Sequence, residues 1–341
     1  MQLNVQQVKE SQLQDRFQRR VTYMRISVIE HCNYACTYCM PAQGWEKKAS
    51  KELLSFDEII EIIEIMSQRG LRKVRITGGE PLLRKNLPEL IARIKQIPYI
   101  QHIALTTNGH LLAAHASRLI QAGLNQLNVS VDTFDAQAFH HVTRGGDLQQ
   151  VICGIKMAQS YGITPIKVNA VLTTDIEQNL DQWIDFCQQA WRLNCIPRWI
   201  EVMPMGNGLL QQKHVDNQKV LQKLTPYFHL QPVSSSMGIY GPASYWQVTQ
   251  GPYAGQQVGF INPMSDDGFC STCNRIRLSA TGQLRACLAD DRSVDLRSIL
   301  RMGLHGPALI PFIESALYGK DNAHHMHLGT FPQTPMTHVG G

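Results

Sequence analysis

His31-Cys32-Asn33-Tyr34-Ala35-Cys36-Thr37-Tyr38-Cys39-Met40-Pro41 places three cysteines, at C-x3-C-x2-C spacing, inside one short loop. A thiolate is a soft ligand, and a tight group of thiolates selects zinc or an iron–sulfur cluster. A structural zinc site takes four ligands, as does an ordinary four-iron cluster; the local count here is three. A four-iron cluster held by three cysteines leaves one iron without a protein ligand, open to a small molecule that can receive an electron. Zinc with His31 as fourth ligand is the competing reading, disfavoured because zinc modules space their ligands as two separated pairs.

Outward from the loop, the chain alternates strand and helix. Residues 21–29 read as a strand by their β-branched content and feed directly into the loop. Period-2 alternation puts Arg25 and Ser27 on one face. Ser55-Phe56-Asp57-Glu58 is a capping box, and Ile59, Ile62, Ile63 and Met66 have the spacing of a helix ending before Gly70. A strand over 73–77 runs into Gly78-Gly79-Glu80-Pro81. Helix 87–97, strand 102–107 ending in Thr106-Thr107-Asn108-Gly109, helix 111–122 and strand 126–132 follow. Helix 151–161, strand 166–172, helix 179–190 and strand 198–203 bring the strands to six. Such alternation implies a parallel sheet covered by helices; spacing alone leaves a partial barrel and a doubly wound sheet both open. In a parallel barrel the site forms at the C-terminal strand ends. That rule nominates Arg75 and Thr77 with the Gly78-Gly79 turn, then Thr106, Ser130, Lys167, Asn169 and Met203.

With 341 residues, 43% hydrophobic and 17% charged, the chain suits a soluble enzyme with a sizeable core, as one large α/β domain or two unequal ones. It has no run of about eighteen apolar residues. Residues 1–20 are Gln-rich and lack the apolar stretch of a secretory signal, so a cytoplasmic protein is expected. A net charge of +5 and a pI near 8.7 suit an anionic substrate and by themselves leave nucleic acid open. Past Met205 the pattern breaks at Gly206, Gly208, Pro226, Pro232, Ser234 to Ser236, Gly238, Gly241 and Pro242. The expected organisation is an N-terminal arm over 1–20, a core domain over 21–240 and a C-terminal domain over 241–341.

Phe269-Cys270-Ser271-Thr272-Cys273-Asn274-Arg275-Ile276-Arg277, followed by Cys287, gives a second group at C-x2-C-x13-C spacing. It again counts three thiolates; zinc completed by His305 or a tail histidine stands beside a second cluster as its occupant. Arg275 and Arg277 alternate and share a side of an extended segment, where two guanidiniums suit bidentate recognition of phosphate. A zinc knuckle has no need of them. Cys153, Cys187 and Cys195 read as small hydrophobes. His324-His325-Met326-His327 reads as a solvated tail or, less often, a metal tract.

The C-x3-C-x2-C loop with an aromatic before its last cysteine resembles the radical S-adenosylmethionine (SAM) enzymes. The match to one family among them, the GTP 3′,8-cyclases of molybdenum cofactor biosynthesis, runs from about Arg25 to Gly341. It rests on the first loop, Arg75-Ile76-Thr77-Gly78-Gly79-Glu80-Pro81, Leu105-Thr106-Thr107-Asn108-Gly109, Asn128-Val129-Ser130-Val131-Asp132 and Ile200-Glu201-Val202-Met203-Pro204. The second triad with its two arginines and the terminal Gly340-Gly341 complete it. The resemblance implies a partial (β/α)6 barrel of the TIM type with a C-terminal extension. It implies two [4Fe-4S] clusters, on Cys32, Cys36 and Cys39 and on Cys270, Cys273 and Cys287. SAM contacts fall on Tyr38, Gly79, Ser130 and Met203, and GTP contacts on Arg25, Arg75, Thr106, Lys167, Arg275 and Arg277. Catalytic roles fall on Arg275, Arg277, Gly340 and Gly341. The implied reaction is a lyase-type cyclisation of GTP to (8S)-3′,8-cyclo-7,8-dihydroguanosine 5′-triphosphate. A downstream pterin-forming synthase and an electron donor are the implied partners; no membrane or nucleic acid is, and the chain is expected as monomer or homodimer.

Against that pattern, residues 142–147, 191–194 and the 324–327 tract diverge locally. Two other readings share the same residues. A peptide-modifying radical SAM maturase usually carries further cysteines toward the C-terminus, and none follows Cys287. A non-catalytic zinc protein binding nucleic acid predicts zinc at both triads.

Overall fold

The structure is a computed structural model that describes residues 12–44, 48–174, 176, 178–205, 215–233, 241–326 and 329–339. The repeats form β1 (Tyr23–Ser27), α1 (Phe56–Gln68), β2 (Lys73–Thr77), α2 (Leu87–Gln96), β3 (His102–Thr107) and α3 (Leu112–Gln121). They continue through β4 (Gln126–Ser130), α4 (Ala136–Thr143), α5 (Leu148–Ser160), β5 (Ile166–Leu172), α6 (Leu180–Arg192) and β6 (Cys195–Glu201). After them come α7 (Asn217–Phe228), β7 (Leu230–Pro232), β8 (Ser244–Val248), β9 (Gln257–Ile261), β10 (Arg275–Leu278), β11 (Gln283–Arg285), β12 (Val294–Asp295), α8 (Leu296–Arg301) and α9 (Ile310–Tyr318).

Beyond shifts of up to three residues at element ends, two differences from the sequence reading bear on the site. The short helix α4 is additional, started by the Asp135 side chain accepting from the Ala138 amide. The sixth strand begins at Cys195, so Arg198 lies mid-strand instead of at its start; Pro197 sits inside the strand just before the pairing with β9 begins.

The described strands form one sheet in the order β12-β11-β10-β1-β2-β3-β4-β5-β6-β9-β8-β7. From β10 to β9 every pairing is parallel. β1 to β6 neighbour one another in chain order. A doubly wound sheet reverses that order at a switch point; an unreversed order is the barrel's, and right-handed crossovers keep its helices on one face. On that face Ile26, Ile76, Leu105, Val129 and Val168 join Ile62, Ile91, Leu119 and Ile155 of the helices in a continuous core. The barrel stays open, because β10 and β9 pair outward with β11 and β8, both antiparallel. The C-terminal region thus adds one parallel strand to each side of the six-stranded core. The β9–β10 connection crosses from one side to the other and carries Cys270 and Cys273.

The inner face carries the alternate residues: Tyr23, Ser27, Lys73, Arg75, Thr77, Asn128, Lys167, Asn169, Arg198 and Arg277 are all buried there, with Arg25 half-buried among them. Strands of a parallel sheet covered on both faces normally read as near-continuous hydrophobic runs. Six cations inside this one mark the position of the site.

Candidate active site inside the open barrel

The first cysteine loop leaves β1 and is braced from two sides. Gly79 donates to the Ile29 carbonyl at 2.7 Å and Glu80 to that of His31 at 2.9 Å. A Cβ on Gly79 would lie 2.3 Å from the His31 carbonyl oxygen, so the Gly-Gly turn serves a close approach of backbone to backbone beneath the loop. Buried Glu80 then ties β2 to β3, accepting from the Thr107 hydroxyl and the Asn108 amide, each at 2.7 Å. Burial lifts its carboxyl to about 7 against the pull of those hydrogen bonds. On the other side, the divergent stretch 142–147 holds the loop. Thr37 donates to the Val142 carbonyl at 2.9 Å, and Arg144, in a left-handed conformation, donates to the carbonyls of Ala35 and Met40 at 2.9 and 3.0 Å.

Burial first, with Glu80 acting the same way on Cys32 and with Cys32 and Asp132 on Cys39, raises the Cys32 thiol to about 11 and the Cys39 thiol to about 12; burial, with Cys39, Asp132 and Cys32, holds Cys36 well above its ordinary range. Three thiols so placed ionise together only around a cationic centre, which fits a ligand set. The Cys32 sulfur accepts from the Tyr34 amide at 3.4 Å and from Asn108 Nδ2 at 3.7 Å. Among the described residues no three His, Cys, Asp or Glu side chains converge on one metal ion.

Tyr38 points inward and donates to Asp132 at 2.9 Å, and Asp132 also accepts from the Val171 amide at 2.9 Å. Tyr38 and Met203 pack against one apolar group made of Val202, Met205, Met326 and Val339. Ser130, at the end of β4, stands in register with Asn169. The four nominated SAM contacts therefore lie at the C-terminal strand ends, around the loop.

Deeper in the barrel, Arg277, Arg25 and Arg75 stand side by side on β10, β1 and β2. Tyr23 sits one pleat below, level with Lys73 and Arg275. Arg75 donates to the Tyr23 hydroxyl and, at 3.0 Å, to Thr106. Lys167 is level with Asn128, itself level with Thr106, and Arg198 donates to Asn169 at 2.8 Å. Like charges set directly opposite across strands oppose folding, and the ionisations record it. Burial and then its cationic neighbours Arg198, Lys73 and Arg75 bring Lys167 down to about 7. Burial lowers Lys73 to about 8, with Arg75, Arg198 and Arg25 acting the same way. Burial alone would raise the Tyr23 phenol, yet Arg75, Arg25 and Lys73 outweigh it and bring it to about 7. The Asn128 amide oxygen is buried here without a donor. Buried cations in this number on one face are able to answer a polyanion.

The second triad lies toward the other end of the strands, since Cys270 and Cys273 lead into β10, whose first residue Arg275 is level with Tyr23 at the start of β1. Arg275 lies over the Phe269 ring at 4.8 Å. Burial would raise the Cys273 thiol, but Arg275 and Lys320 beside it prevail and lower it to about 6, a thiolate ready for a metal at neutral pH. His305, considered as a fourth ligand, is engaged with Glu61 at 3.0 Å. His324 donates from Nε2 to the Pro263 carbonyl at 2.6 Å, and Met326 is buried; His327 lies outside the described residues. The tail enters the same space, with Arg277 donating to the Val339 carbonyl at 3.1 Å. Gly340 and Gly341 lie outside the described residues.

Sequence reasoning passed over Lys73, Arg198, Asp132, Arg144 and Lys320. Lys73 was legible from the period-2 face it shares with Arg75; the others depend on where strands and loops meet. Cys153, read as a packing residue, is exposed, whereas Cys187 and Cys195 are buried.

The radical SAM superfamily model matches residues 26–190, and the Molybdenum Cofactor Synthesis C model residues 196–326. A GTP 3′,8-cyclase of Syntrophomonas wolfei is 40% identical over 319 residues, 92% of this chain and 95% of that protein. A GTP 3′,8-cyclase of Moorella thermoacetica is 36% identical over 330 residues, 96% of this chain and 100% of that protein. Among solved structures, SuiB of Streptococcus suis aligns with TM-score 0.58 and 15% identity over 86% of this chain and 68% of SuiB. SuiB bound to its precursor peptide SuiA aligns with TM-score 0.53 and 18% identity over 62% of this chain and 47% of SuiB; at such identities the likeness speaks for the fold alone. With relatives matched along nearly its whole length and both cysteine triads in place, the chain belongs to the GTP 3′,8-cyclase family of radical SAM enzymes.

Proposed function

We propose that the chain is a GTP 3′,8-cyclase, a lyase that converts GTP to (8S)-3′,8-cyclo-7,8-dihydroguanosine 5′-triphosphate in the first step of molybdenum cofactor biosynthesis. The observation that carries this reading is the row Arg277, Arg25 and Arg75 across three adjacent strands, with Lys73, Lys167 and Arg198 around it. Cys32, Cys36 and Cys39 would hold one [4Fe-4S] cluster, and Cys270, Cys273 and Cys287 a second. The first cluster, when bound, supplies the electron for reductive cleavage of SAM to methionine and the 5′-deoxyadenosyl radical that takes hydrogen from ribose carbon 3 of GTP.

The chain's own residues bind, orient and shield. Tyr38, held by Asp132, with Gly79, Ser130 and Met203, frames the SAM side of the cavity. Arg25, Arg75, Thr106, Lys167, Arg275 and Arg277, joined by Lys73 and Arg198, neutralise the triphosphate and fix where the ribose lies, which converts a bimolecular encounter into a positioned one. The apolar group of Val202, Met205, Met326 and Val339 keeps water from that side. Gly340 and Gly341, following a tail segment already inside the barrel, are the catalytic glycines of this reading. A pterin-forming synthase would consume the product and an external donor would supply electrons. Among the described residues no helix is long and apolar enough to cross a membrane, in keeping with work in the cytoplasm.

Anaerobic incubation of the iron-loaded chain with SAM, dithionite and GTP, followed by mass analysis, tests the reading. A cyclised nucleotide with one 5′-deoxyadenosine released per turnover is expected; 5′-deoxyadenosine with unaltered GTP overturns the cyclase assignment.

A further inference from the structure

Lys320 follows α9 and is 2% exposed. An ammonium has three N–H donors and no acceptor, and all three are used: on the Arg275 carbonyl at 3.1 Å, the Cys273 carbonyl at 3.4 Å and the Cys273 sulfur at 3.3 Å. None of the three acceptors is a carboxylate. The adjacent Asp321 is engaged elsewhere, by Arg16 at 2.8 Å and Arg292 at 2.6 Å. A buried charge persists only where a counter-charge meets it, and of the three acceptors the sulfur alone can carry a full negative charge. The segment is also fixed in place: Arg19 donates to the carbonyls of Asp321 and Asn322 at 2.6 and 2.7 Å and to that of Cys270 at 2.8 Å.

The first triad is built differently. Its Cys32 sulfur receives hydrogen bonds from a backbone amide and from Asn108, both neutral. Net charge and hydrogen bonds to the sulfurs set the potential of an iron–sulfur centre, and a nearby cation favours the form that has gained an electron.

We propose that Lys320 is the charge partner of the second iron–sulfur centre, and that its ammonium, hydrogen-bonded to the Cys273 sulfur, makes that centre easier to reduce. The proposal rests on the reading that Cys270, Cys273 and Cys287 hold a cluster. Reduction adds one electron to the centre; no bond is made or broken and no proton is required. Lys320 reaches the Cys273 sulfur and only the backbone of Arg275, so it tunes a ligand instead of acting on a reacting atom.

The test is a potentiometric titration with dithionite, followed by electron paramagnetic resonance, on the anaerobically loaded full chain, with iron counted alongside. The second-centre signal is identified as the one missing in Cys270→Ser. Lys320→Met and Lys320→Gln remove the charge, and Lys320→Arg keeps it. The neutral variants are expected to retain about eight irons, as two four-iron clusters require. Their second centre should be harder to reduce by at least about tenfold in the equilibrium, about 59 mV for one electron. Lys320→Arg should remain near the wild-type potential, and the first-centre signal should not move in any of them. Loss of the second centre from both neutral variants but not from Lys320→Arg also supports a role for the charge. A neutral variant with eight irons and an unchanged potential overturns the proposal, as does loss of the centre from all three. A wild-type chain that binds only about four irons fails the cluster reading itself, and the proposal with it.

Discussion

Arg277 stands between Arg25 and Arg285 in the register of the sheet. Both Arg277 and Arg285 are buried; Arg285 pairs with Asp291 at 3.2 Å, and Arg277 donates to the tail carbonyl of Val339. A charge-assisted hydrogen bond contributes about 1.5–3 kcal/mol, so Arg277→Ala is expected to weaken GTP binding at least about tenfold with both clusters intact. Equilibrium binding of GTP under anaerobic conditions measures it; unchanged affinity would make Arg277 structural. The two lysines add a pH dependence. Lys167 near 7 and Lys73 near 8 are partly neutral in the free site at pH 8, and a polyphosphate raises both. Binding therefore takes up protons, and affinity falls as pH rises above about 7, by about tenfold per pH unit for each proton taken up. Tyr23, held near 7, acts in the same direction. Below about pH 6 all three are already protonated and the dependence flattens. Calorimetry in two buffers of different ionisation enthalpy reads the proton count directly, and a count of zero at pH 8 contradicts this account.

At the scale of elements, the loop after β1 takes its shape from its neighbours. The Gly78-Gly79 turn after β2 leaves no room for a side chain under it. Gly79→Ala is expected to displace the loop at a cost of about 1–3 kcal/mol, lowering both the melting temperature and the iron held by the first triad, while the second triad keeps its iron. Retention of full iron and melting temperature would show that the backbone yields there. The C-terminal segment behaves as an inserted element: Thr337 and Val339 are buried, and the Ser27 hydroxyl reaches the Thr337 carbonyl at 3.5 Å. Termini are usually dispensable, but removing Gly340 and Gly341 from a tail already anchored in the barrel should spare iron content and 5′-deoxyadenosine formation and abolish the cyclised product. Mass analysis of the nucleotide decides it, and full-length product levels from the truncated chain exclude a catalytic role for the diglycine.

At the scale of the molecule, segments far apart in the sequence, Asp15 to Arg19 and Lys320 to Asn322, meet at the second cysteine group. Arg19 of the N-terminal arm, paired with buried Asp15 at 2.6 Å, holds the Cys270 carbonyl and the segment after Lys320 together. Removing one partner of a buried pair costs about 3–5 kcal/mol. Arg19→Ala is therefore expected to lower the unfolding free energy by about that amount and to loosen iron at the second triad before the first, read by denaturant titration and by the rate of iron release to a chelator. Equal release from both triads would count against it. What the sequence determined by itself is what depends on neighbours along the chain. The period-2 strands 73–77, 102–107 and 166–172 stand at those bounds in the structure; the Ser55–Glu58 cap and the two cysteine spacings were equally legible, because propensity, capping and ligand spacing are local. What only the tertiary structure decided is what depends on which strands become neighbours. Spacing left barrel and doubly wound sheet equal, and the unreversed strand order separates them. Arg25 and Arg75 are fifty residues apart in the sequence and become adjacent only through parallel pairing. Arg277 joins them only because β10 returns to the edge of β1. Asp132 under Tyr38, Arg144 over the cysteine loop and Lys320 on the Cys273 sulfur are contacts across the fold, and no local pattern in the chain encodes a partner that arrives from elsewhere in space.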